Sequence, residues 1–378
     1  MAVKLIMRVL GFMSGTSLDA VDMAVIETDG VAIQAFGPAG ERKLSPQTRA
    51  IVQAATKAAL AWPRETPEPA VFAEAARAVA QEHLEAARGF LAAHGLASGD
   101  IDLAGFHGQT VLHERPNAAR IGRTVQLGHA ALLARGLGVP VACDFRTADV
   151  AAGGEGAPLA PIYHAALAGG AGLETPLAVL NLGGVANITL IDSEGDLLAF
   201  DTGPANGMID LLVQERTGAR YDAEGRLAAA GRVDAQALER LLAHPYFQLS
   251  GPKSLDRYDF PMSPVDALSL EDAAATLTAF TAEAVRLAIA ACPQAPRTLI
   301  ACGGGRRNPV LMAAIGERAG VELISAEAAG WRGDSIEAEA FAYLAARTAR
   351  GLPISFPGTT GAPRPMTGGR IVRPRASA

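Results

Sequence analysis

The sequence predicts an α/β protein built from two similar halves. Apolar strand segments alternate with helical segments, as in the strand near 101–106, the helix near 128–136 and the strand near 139–143. This alternation is typical of α/β architectures. A strand, a turn of small residues and a second strand occur near the start of the chain and again near 177–191. The repeat indicates two halves that face one another across a cleft, where ligands often bind.

The remaining elements follow from apolar runs, alanine-rich stretches and glycine or proline boundaries. Strands are predicted near 3–12, 21–28, 31–36, 101–106, 139–143, 177–182, 188–191, 197–200 and 298–302. Helices are predicted near 46–60, 69–94, 128–136, 205–217, 234–243, 270–291, 308–318 and 335–350. The helix after Asn308 has Pro309 at its favoured first position. Residues 151–161 form a glycine-rich loop, and the tail beyond residue 357 is expected to be irregular.

Length and composition limit the functional classes. A chain of 378 residues suggests about two domains. The net charge is −6 and no basic block occurs, which argues against nucleic-acid binding. Three well-separated cysteines indicate reduced thiols and a cytoplasmic location. The uncharged run 157–173 contains prolines, glycines and His164, so it is a poor membrane span and no membrane partner is expected.

The turn within residues 11–22 (GFMSGTSLDAVD) is the first candidate binding feature. Its small residues let backbone N–H groups converge, which suits a polyphosphate. The carboxylate of Asp19 at its rim can hold a hydrated Mg²⁺. An ordinary hairpin with a polar tip explains the composition equally well.

Other binding motifs are weaker. The string Gly251-Pro252-Lys253-Ser254 is no Walker A loop, because proline removes a needed N–H. The glycines at 303–305 lie between a strand and a helix, where they either approach a ligand closely or form a tight turn. His107, His113 and His129 lack the spacing of a metal site, which favours hydrogen-bonding roles.

The carboxylates are more informative. Asp201 follows an apolar strand and precedes a Gly/Pro loop and a helix start, the placement of a catalytic group in an α/β protein. Asp144 and Asp149 lie on either side of Arg146 in the sequence. A local salt bridge with a helix cap is the alternative explanation of that pattern.

These motifs together resemble the anhydro-N-acetylmuramic acid kinase family, within the superfamily of sugar kinases, heat-shock-cognate ATPases and actin. The resemblance runs nearly end to end. It is carried by residues 11–22, 107–110 (HGQT), 144–154 (DFRTADVAAGG), 156–159 (GAPL), 181–184 (NLGG), 201–204 (DTGP), 251–254 (GPKS), 302–309 (CGGGRRNP) and the late acidic helix at 337–341. The order and joint presence of these segments are highly specific.

The resemblance implies two actin-like (ribonuclease H-like) domains with a nucleotide cleft between them. The expected domains are 1–160 and 161–378, with the C-terminal segment as a candidate to pack back on the first domain. The cofactors implied are ATP and Mg²⁺, with Asp19 near the metal. The cofactor-binding residues implied are Gly11, Ser14, Gly15, Thr16, Ser17 and Asp19 in the first phosphate turn, Asn181, Gly183 and Gly184 in the second, and Gly303, Gly304, Gly305 and Asn308 beside the adenosine.

The implied reaction converts ATP, water and 1,6-anhydro-N-acetylmuramic acid into ADP and N-acetylmuramic acid 6-phosphate, in the recycling of cell-wall sugars. The family's catalytic base falls on Asp201. An arginine suits the lactyl carboxylate of the substrate by forked pairing. The sugar-binding residues implied are Gln109, Thr110, Arg146, Asp149 and Glu337.

Some positions depart from the usual family pattern. Glu155 stands where glutamine is common, Ala205 where glycine is common, and Leu255-Asp256 replaces a frequent Thr-Gly. These departures concern fine specificity rather than fold or reaction. A kinase of another amino sugar and a non-enzymatic actin-like nucleotide switch are the alternative functions, and a homodimer is the candidate assembly.

Overall fold

The structure is a computed structural model that describes residues 5–15, 17–116, 119–249, 251–255 and 259–374. Two residues singled out above, Thr16 and Asp256, lie outside these ranges. The chain divides into two compact units. The first contains Met1–Gly170 and Ser335–Ala378, and the second contains Ala171–Asp334.

The elements follow in chain order. The first unit contains β1 (Met7–Met13), β2 (Ala20–Thr28), β3 (Ile33–Lys43), α1 (Pro46–Leu60), α2 (Val71–Ala93), β4 (Leu103–Phe106), β5 (Gln109–Glu114), β6 (Arg123–Leu127), α3 (Ala130–Leu137), β7 (Val141–Cys143), α4 (Thr147–Ala151) and α5 (Pro161–Gly170). The second contains β8 (Leu177–Leu182), β9 (Val185–Ile191), β10 (Leu197–Pro204), α6 (Asn206–Thr217), α7 (Arg226–Ala230), α8 (Ala235–Leu242), α9 (Leu270–Ala290), β11 (Thr298–Cys302), α10 (Pro309–Ala319) and β12 (Glu322–Ser325). The first unit then resumes with α11 (Ile336–Arg350), α12 (Pro357–Thr360) and β13 (Arg370–Val372).

Both units contain the same five-stranded topology, to which the first unit adds β13 at one edge. Within the described residues the strand order is β13-β7-β4-β1-β2-β3 in the first unit and β10-β9-β8-β11-β12 in the second. In the first, β1–β2–β3 are antiparallel neighbours, and β4 and β7 continue parallel to β1. In the second, β8–β9–β10 and then β11 and β12 repeat that pattern. This duplicated order is the ribonuclease H-like one, and it confirms the predicted α/β class.

The first sheet is covered by helices on both faces. Phe12 belongs to a core that also includes Val52 of α1, Phe72 of α2 and Leu133 of α3. Successive strand residues point to opposite faces, so Gly11 faces away from that core. A Cβ at Gly11 would overlap the carbonyl oxygen of Ala338 in α11 and lie 2.6 Å from the Ala342 nitrogen.

Gly11 has a partner on the neighbouring strand. It stands in register with Gly105 of β4. A Cβ at Gly105 would lie 2.8 Å from the carbonyl carbon of Phe341. The two glycines therefore let the backbone of α11 lie directly on β1 and β4, which a side chain at either position would prevent.

The second unit is built around α9. Its buried face contributes to a core with β8, β9 and β11, and to a second core with α6 and α8. Among the described residues, α9 is the helix whose length and hydropathy would suffice to cross a bilayer, but 78% of that apolar window is buried. Such burial is typical of the core helix of a large domain.

Several short elements of the structure are absent from the sequence-based prediction. The hairpin β5–β6, the helices α4 and α5, and the strand β12 were not anticipated. The expectation of an irregular tail is wrong for residues 370–372, because β13 pairs antiparallel with β7. The strand predicted near 197–200 continues to Pro204, with a register shift between Asp201 and Gly203.

Candidate active site

The first glycine turn, which contains Gly15, joins β1 to β2. The carbonyl oxygen of Gly15 accepts hydrogen bonds from the Leu18 N–H (3.1 Å) and from Nε2 of Gln109 (3.2 Å). The Ser14 side chain is buried, and its hydroxyl has no hydrogen-bond partner among the described residues. A buried hydroxyl of this kind indicates a site that is completed by a ligand or water.

The other predicted residues of this turn differ in environment. Ser17 is exposed and Asp19 is half-buried. The carbonyl oxygen of Asp19 accepts from the Leu44 N–H at 2.9 Å, which fixes its backbone. Gly11 has the packing role described above.

The second glycine turn, Gly183-Gly184, is tied to the start of α6. The Gly184 carbonyl accepts from the N–H groups of Ala205 and Gly207, each at 3.0 Å. The Gly183 carbonyl accepts from both the N–H and the side-chain Nδ2 of Asn206, each at 3.1 Å. The helix N-terminus therefore fixes this turn through donors that lack partners inside the helix.

Asn206 is a site residue that sequence reasoning missed. Its Nδ2 also donates to the Leu182 carbonyl at 3.1 Å. A Cβ at Gly305 would lie 2.7 Å from that same Nδ2. An asparagine at the first position of a helix, directly after a Gly-Pro-Ala string, is the signal that could have found it.

The glycine loop at 303–305 approaches the second turn. Gly303 has φ of +75°, and a Cβ there would overlap Oδ1 of Asn181. Gly304 has open space around it. Asn308 caps α10, because its Oδ1 accepts from the N–H groups of Val310 and Leu311, each at 3.1 Å. The structure thus brings Asn181 and the loop at 303–305 close to the second turn, and it gives Asn308 a capping role.

The candidate base Asp201 is oriented by main-chain contacts. Its Oδ2 accepts from the Leu255 N–H at 2.6 Å, and its own N–H donates to the Lys253 carbonyl at 2.8 Å. The hydroxyl of the buried Tyr246 donates to the Asp201 carbonyl. The Lys253 ammonium lies 4.4 Å from the centre of the Tyr246 ring, and burial lowers the pKa of Lys253. Residues 251–255, which do not form a Walker A loop, therefore hold Asp201.

Arg146 is the central residue of the predicted sugar-binding set. Its Nε donates to Nε2 of His107 at 2.9 Å, and its Nη1 donates to the Gly156 carbonyl at 2.6 Å. Burial lowers the pKa of Arg146 to about 10, against the opposing effects of the Glu337 and Asp149 charges.

Glu337 is electrostatically coupled to Arg146. Desolvation raises the pKa of Glu337, and the Arg146 charge opposes that shift. Its side chain is nevertheless reached by solvent. A carboxylate that solvent can reach can also contact a bound ligand.

Two predicted sugar residues have partners within the first unit. The Asp149 carboxylate is buried and accepts from the Gly156 N–H (2.7 Å), the Ser355 hydroxyl and the Thr360 hydroxyl (2.7 Å). Thr110 accepts from Gln126 Nε2 at 3.3 Å. Asp149 therefore fixes the loop that carries the acceptor of Arg146, a role the sequence did not reveal.

The predicted histidine roles agree with the contacts. His113 Nδ1 lies 3.1 Å from the Thr124 hydroxyl, and His129 Nδ1 accepts from the Leu132 N–H. Among the described residues no group of three or more His, Cys, Asp or Glu side chains could hold a metal ion.

Comparison with known proteins assigns the chain to a family. The model of the family described as anhydro-N-acetylmuramic acid kinase matches residues 7–374. The chain belongs to the anhydro-N-acetylmuramic acid kinase family. The resemblance inferred from the sequence is thereby confirmed.

Curated members of the anhydro-N-acetylmuramic acid kinase family match over nearly their whole length. The Caulobacter vibrioides protein of that name is 69% identical over 366 residues, covering 97% of this chain and 99% of that protein. The Phenylobacterium zucineum protein is 65% identical over 368 residues, covering 97% of this chain and 100% of that protein.

Two of the similar solved structures show a distant similarity to this chain. The Acidaminococcus fermentans (R)-2-hydroxyglutaryl-CoA dehydratase component A has a TM-score of 0.46 and 14% identity, with 91% of this chain and 99% of that chain covered. A ROK family glucokinase from Streptomyces griseus, in complex with glucose and AMPPNP, has a TM-score of 0.40 and 16% identity, with 89% and 99% covered.

Proposed function

We propose that the chain is an ATP-dependent kinase that opens 1,6-anhydro-N-acetylmuramic acid with water and phosphorylates it to N-acetylmuramic acid 6-phosphate. The family match across residues 7–374 carries this proposal. The high identity to curated family members over nearly the full length supports it. The product would re-enter the recycling of cell-wall amino sugars.

Asp201 is the proposed base. Its carboxylate takes a proton from a water molecule as that water attacks the anomeric carbon and the C1–O6 bond breaks. The freed O6 then attacks the γ-phosphorus of ATP, and the bond to the ADP oxygen breaks. General-base catalysis of this kind contributes about 10²- to 10⁴-fold in rate. The Leu255 N–H, which contacts Oδ2, holds the carboxylate in one orientation.

The nucleotide site is proposed on the two glycine turns and the loop at 303–305. Ser14, Gly15, Ser17, Gly183 and Gly184 surround the phosphates in this proposal, while Gly303, Gly304 and Gly305 border the adenosine. The unpartnered hydroxyl of Ser14 supports it, because a phosphate oxygen would supply the missing hydrogen bond. Thr16 belongs to this set by sequence alone.

Magnesium is proposed to accompany ATP, held by Asp19. Proteins usually contribute one or two carboxylates to such a site, and phosphate oxygens and water supply the other ligands. When bound, the ion neutralises charge on the transferred phosphoryl group. Titration of ATP affinity with Mg²⁺ in wild type and Asp19→Asn tests the assignment, since an unchanged Mg²⁺ dependence would remove Asp19 from it.

The sugar is proposed to contact Gln109, Thr110, Arg146 and Glu337. In this assignment Arg146 receives the lactyl carboxylate, because a guanidinium pairs with a carboxylate through two parallel N–H donors. Gln109 also contacts the Gly15 carbonyl, which links the sugar segment to the first turn. Asp149 contributes by holding the loop at 154–156.

The deciding experiment measures product mass. The purified chain is incubated with ATP, Mg²⁺ and a panel of amino sugars, including the 1,6-anhydro compound. A mass gain of one phosphate plus one water on that compound is the expected result. Transfer to another amino sugar alone would replace the substrate, and nucleotide binding without sugar-dependent ADP release would favour the nucleotide switch.

The thiols support a cytoplasmic location. Cys143 and Cys302 are buried and Cys292 is half-buried, and all three are in the thiol form. Burial raises the pKa of Cys143, and raises that of Cys292 to about 11, so these are poorly reactive thiols.

A homodimer is proposed as the assembly. Light scattering on the protein as it elutes from a size-exclusion column tests this proposal.

A further inference from the structure

His107 stands at the carboxyl end of β4 and is buried. Its ring lies 4.5 Å, centre to centre, from the ring of Phe341 in α11. Nδ1 is 2.8 Å from the Gly108 carbonyl oxygen, and Nε2 is 2.9 Å from Nε of Arg146. Both ring nitrogens therefore have protein partners.

The partner of Nε2 determines the tautomer. A guanidinium only donates hydrogen bonds, so Nε2 of His107 must accept. The ring proton then lies on Nδ1 and is donated to the Gly108 carbonyl. Desolvation and the Arg146 charge both lower the pKa of His107 well below its ordinary value, which keeps the imidazole neutral.

The guanidinium of Arg146 is held at two of its three nitrogens. Nε is held by His107 and Nη1 by the Gly156 carbonyl. The Gly156 peptide is itself fixed, because its N–H donates to the buried Asp149 carboxylate. Among the described residues, Nη2 has no hydrogen-bond partner. The protein therefore sets the plane of the guanidinium and leaves its Nη1/Nη2 edge with donors for a ligand.

We propose that neutral His107 is a positioning residue that aims Arg146 at the carboxylate of the substrate's lactyl group. This inference rests on the proposed function, and it assigns His107 a part in selecting an anionic sugar over a neutral one. An acceptor at this position is required because a buried Nε–H without a partner would favour a different guanidinium orientation.

The test compares a substitution of His107 that removes the hydrogen-bond acceptor with one that keeps it. His107→Phe keeps a ring against Phe341 but has no acceptor for Arg146. His107→Gln places an amide oxygen near the position of Nε2 and so restores the acceptor. His83→Phe is the control, since His83 is another buried histidine whose Nδ1 contacts the Val79 carbonyl.

Each variant is measured with 1,6-anhydro-N-acetylmuramic acid and with 1,6-anhydro-N-acetylglucosamine, which lacks the lactyl group. His107→Phe should raise KM and Kd for the lactyl-bearing sugar roughly ten- to a hundredfold, as expected for a misplaced binding group. KM for ATP, kcat and the affinity for the neutral sugar should change little. His107→Gln should recover most of the preference, and His83→Phe should keep all of it.

The opposite results overturn the inference. A His107→Phe variant that loses affinity for both sugars equally, or that keeps the wild-type preference, would exclude the positioning role. A Gln variant as defective as the Phe variant would do the same. If His107→Phe does not fold, His107→Met replaces it as the variant without a nitrogen acceptor.

Failure of the proposed function gives a different result. In that case the wild type releases no ADP with either sugar. The Kd values for the two sugars, measured by titration calorimetry, still decide the positioning role, since they require no turnover. A wild type that binds neither sugar would reject the proposed function and this inference together.

Discussion

The two glycine turns lie at equivalent positions in the two sheets, yet they are held differently. Gly183 and Gly184 have their carbonyls bonded to the start of α6 and to the side chain of Asn206. The first turn is braced at Gly15 by Gln109 and Leu18, while the Ser14 hydroxyl lacks a protein partner in the described structure. Equivalent topology therefore does not imply equivalent chemistry: protein groups satisfy the carbonyls of the second turn, whereas the first turn has a buried hydroxyl that binds the nucleotide in the proposed function.

In the proposed function the two turns bind the nucleotide and Asp201 acts as the base. Asp201 lies in neither turn and is held by residues 251–255 and Tyr246. Changes in the turns should therefore alter nucleotide affinity or stability, whereas a change at Asp201 should alter turnover.

The largest expected effect is that of Asp201→Asn. The amide keeps an oxygen for the Leu255 N–H but is a far weaker base, so kcat should fall about 10²- to 10⁴-fold. Sugar-dependent ADP release measures the loss. ATP affinity and Tm should stay near wild type, and near-normal turnover would refute the base assignment.

Gly11→Ala should be the next largest, as a loss of stability. The added methyl meets the backbone of α11, which cannot yield as a side chain does, so unfolding should become easier by about 3 kcal/mol or more. Denaturant unfolding measures it. Gly89→Ala is the control, because Gly89 lies inside α2 with open space around its Cα, and should stabilise by about 0.5–1 kcal/mol.

Gly15→Ala refines this comparison. A Cβ there would lie 3.6 Å from the Ser17 hydroxyl, an ordinary contact. Stability should change by no more than about 0.5 kcal/mol, while ATP affinity should fall. Equal destabilisation at Gly11 and Gly15 would show that both glycines are structural.

Acid should destabilise the first unit through its buried histidines. Desolvation lowers the pKa of His83 to about 4 in the folded state, below the unfolded value of 6.5. The unfolded chain therefore binds the proton first, and His83 alone should reduce stability by about 3 kcal/mol between neutral pH and pH 4. His83→Phe should flatten the dependence of unfolding free energy on pH by up to one proton, whereas an unchanged slope would contradict this environment.

Substitutions at Ser14 and Asn206 should affect stability differently in the two turns. Ser14→Ala removes a buried hydroxyl without a partner, so stability should stay constant or rise by about 1 kcal/mol while ATP affinity falls. Asn206→Ala removes donors to Leu182 and Gly183, so stability should fall by about 1–3 kcal/mol. Thermal unfolding with and without ATP measures both, and the same sign in both would mean that the turns are equivalent.

The fold was largely predictable because its central strands are continuous apolar runs. The pairs β1–β2 and β8–β9 and the helices α1, α2, α9 and α11 all carry strong local patterns. The hairpin β5–β6 mixes Thr, His, Gln and Arg with its apolar residues, and β13 is only three residues long and pairs with the edge strand β7. Local pattern is too weak to specify such elements.

The candidate site was predictable as motifs but not as contacts. A sequence does not distinguish a glycine that admits a helix, such as Gly11, from one that forms a turn, such as Gly15. It also does not reveal that the carboxylate of Asp149 bonds to Ser355 and Thr360, which lie far along the chain. Such roles depend on distant segments, and no local pattern encodes them.

Gly11 and Gly105 together allow direct contact between the backbone of α11 and the sheet. Because neither carries a methyl group, the distance from helix to sheet is set by main-chain atoms alone, and these have the same dimensions in every protein. The distance of Glu337, in the first turn of α11, from the strands therefore depends on the absence of a side chain at both glycines. Substitutions on the outward face of α11 leave this distance unchanged. A methyl group at Gly11 or Gly105 would move Glu337 away from Arg146.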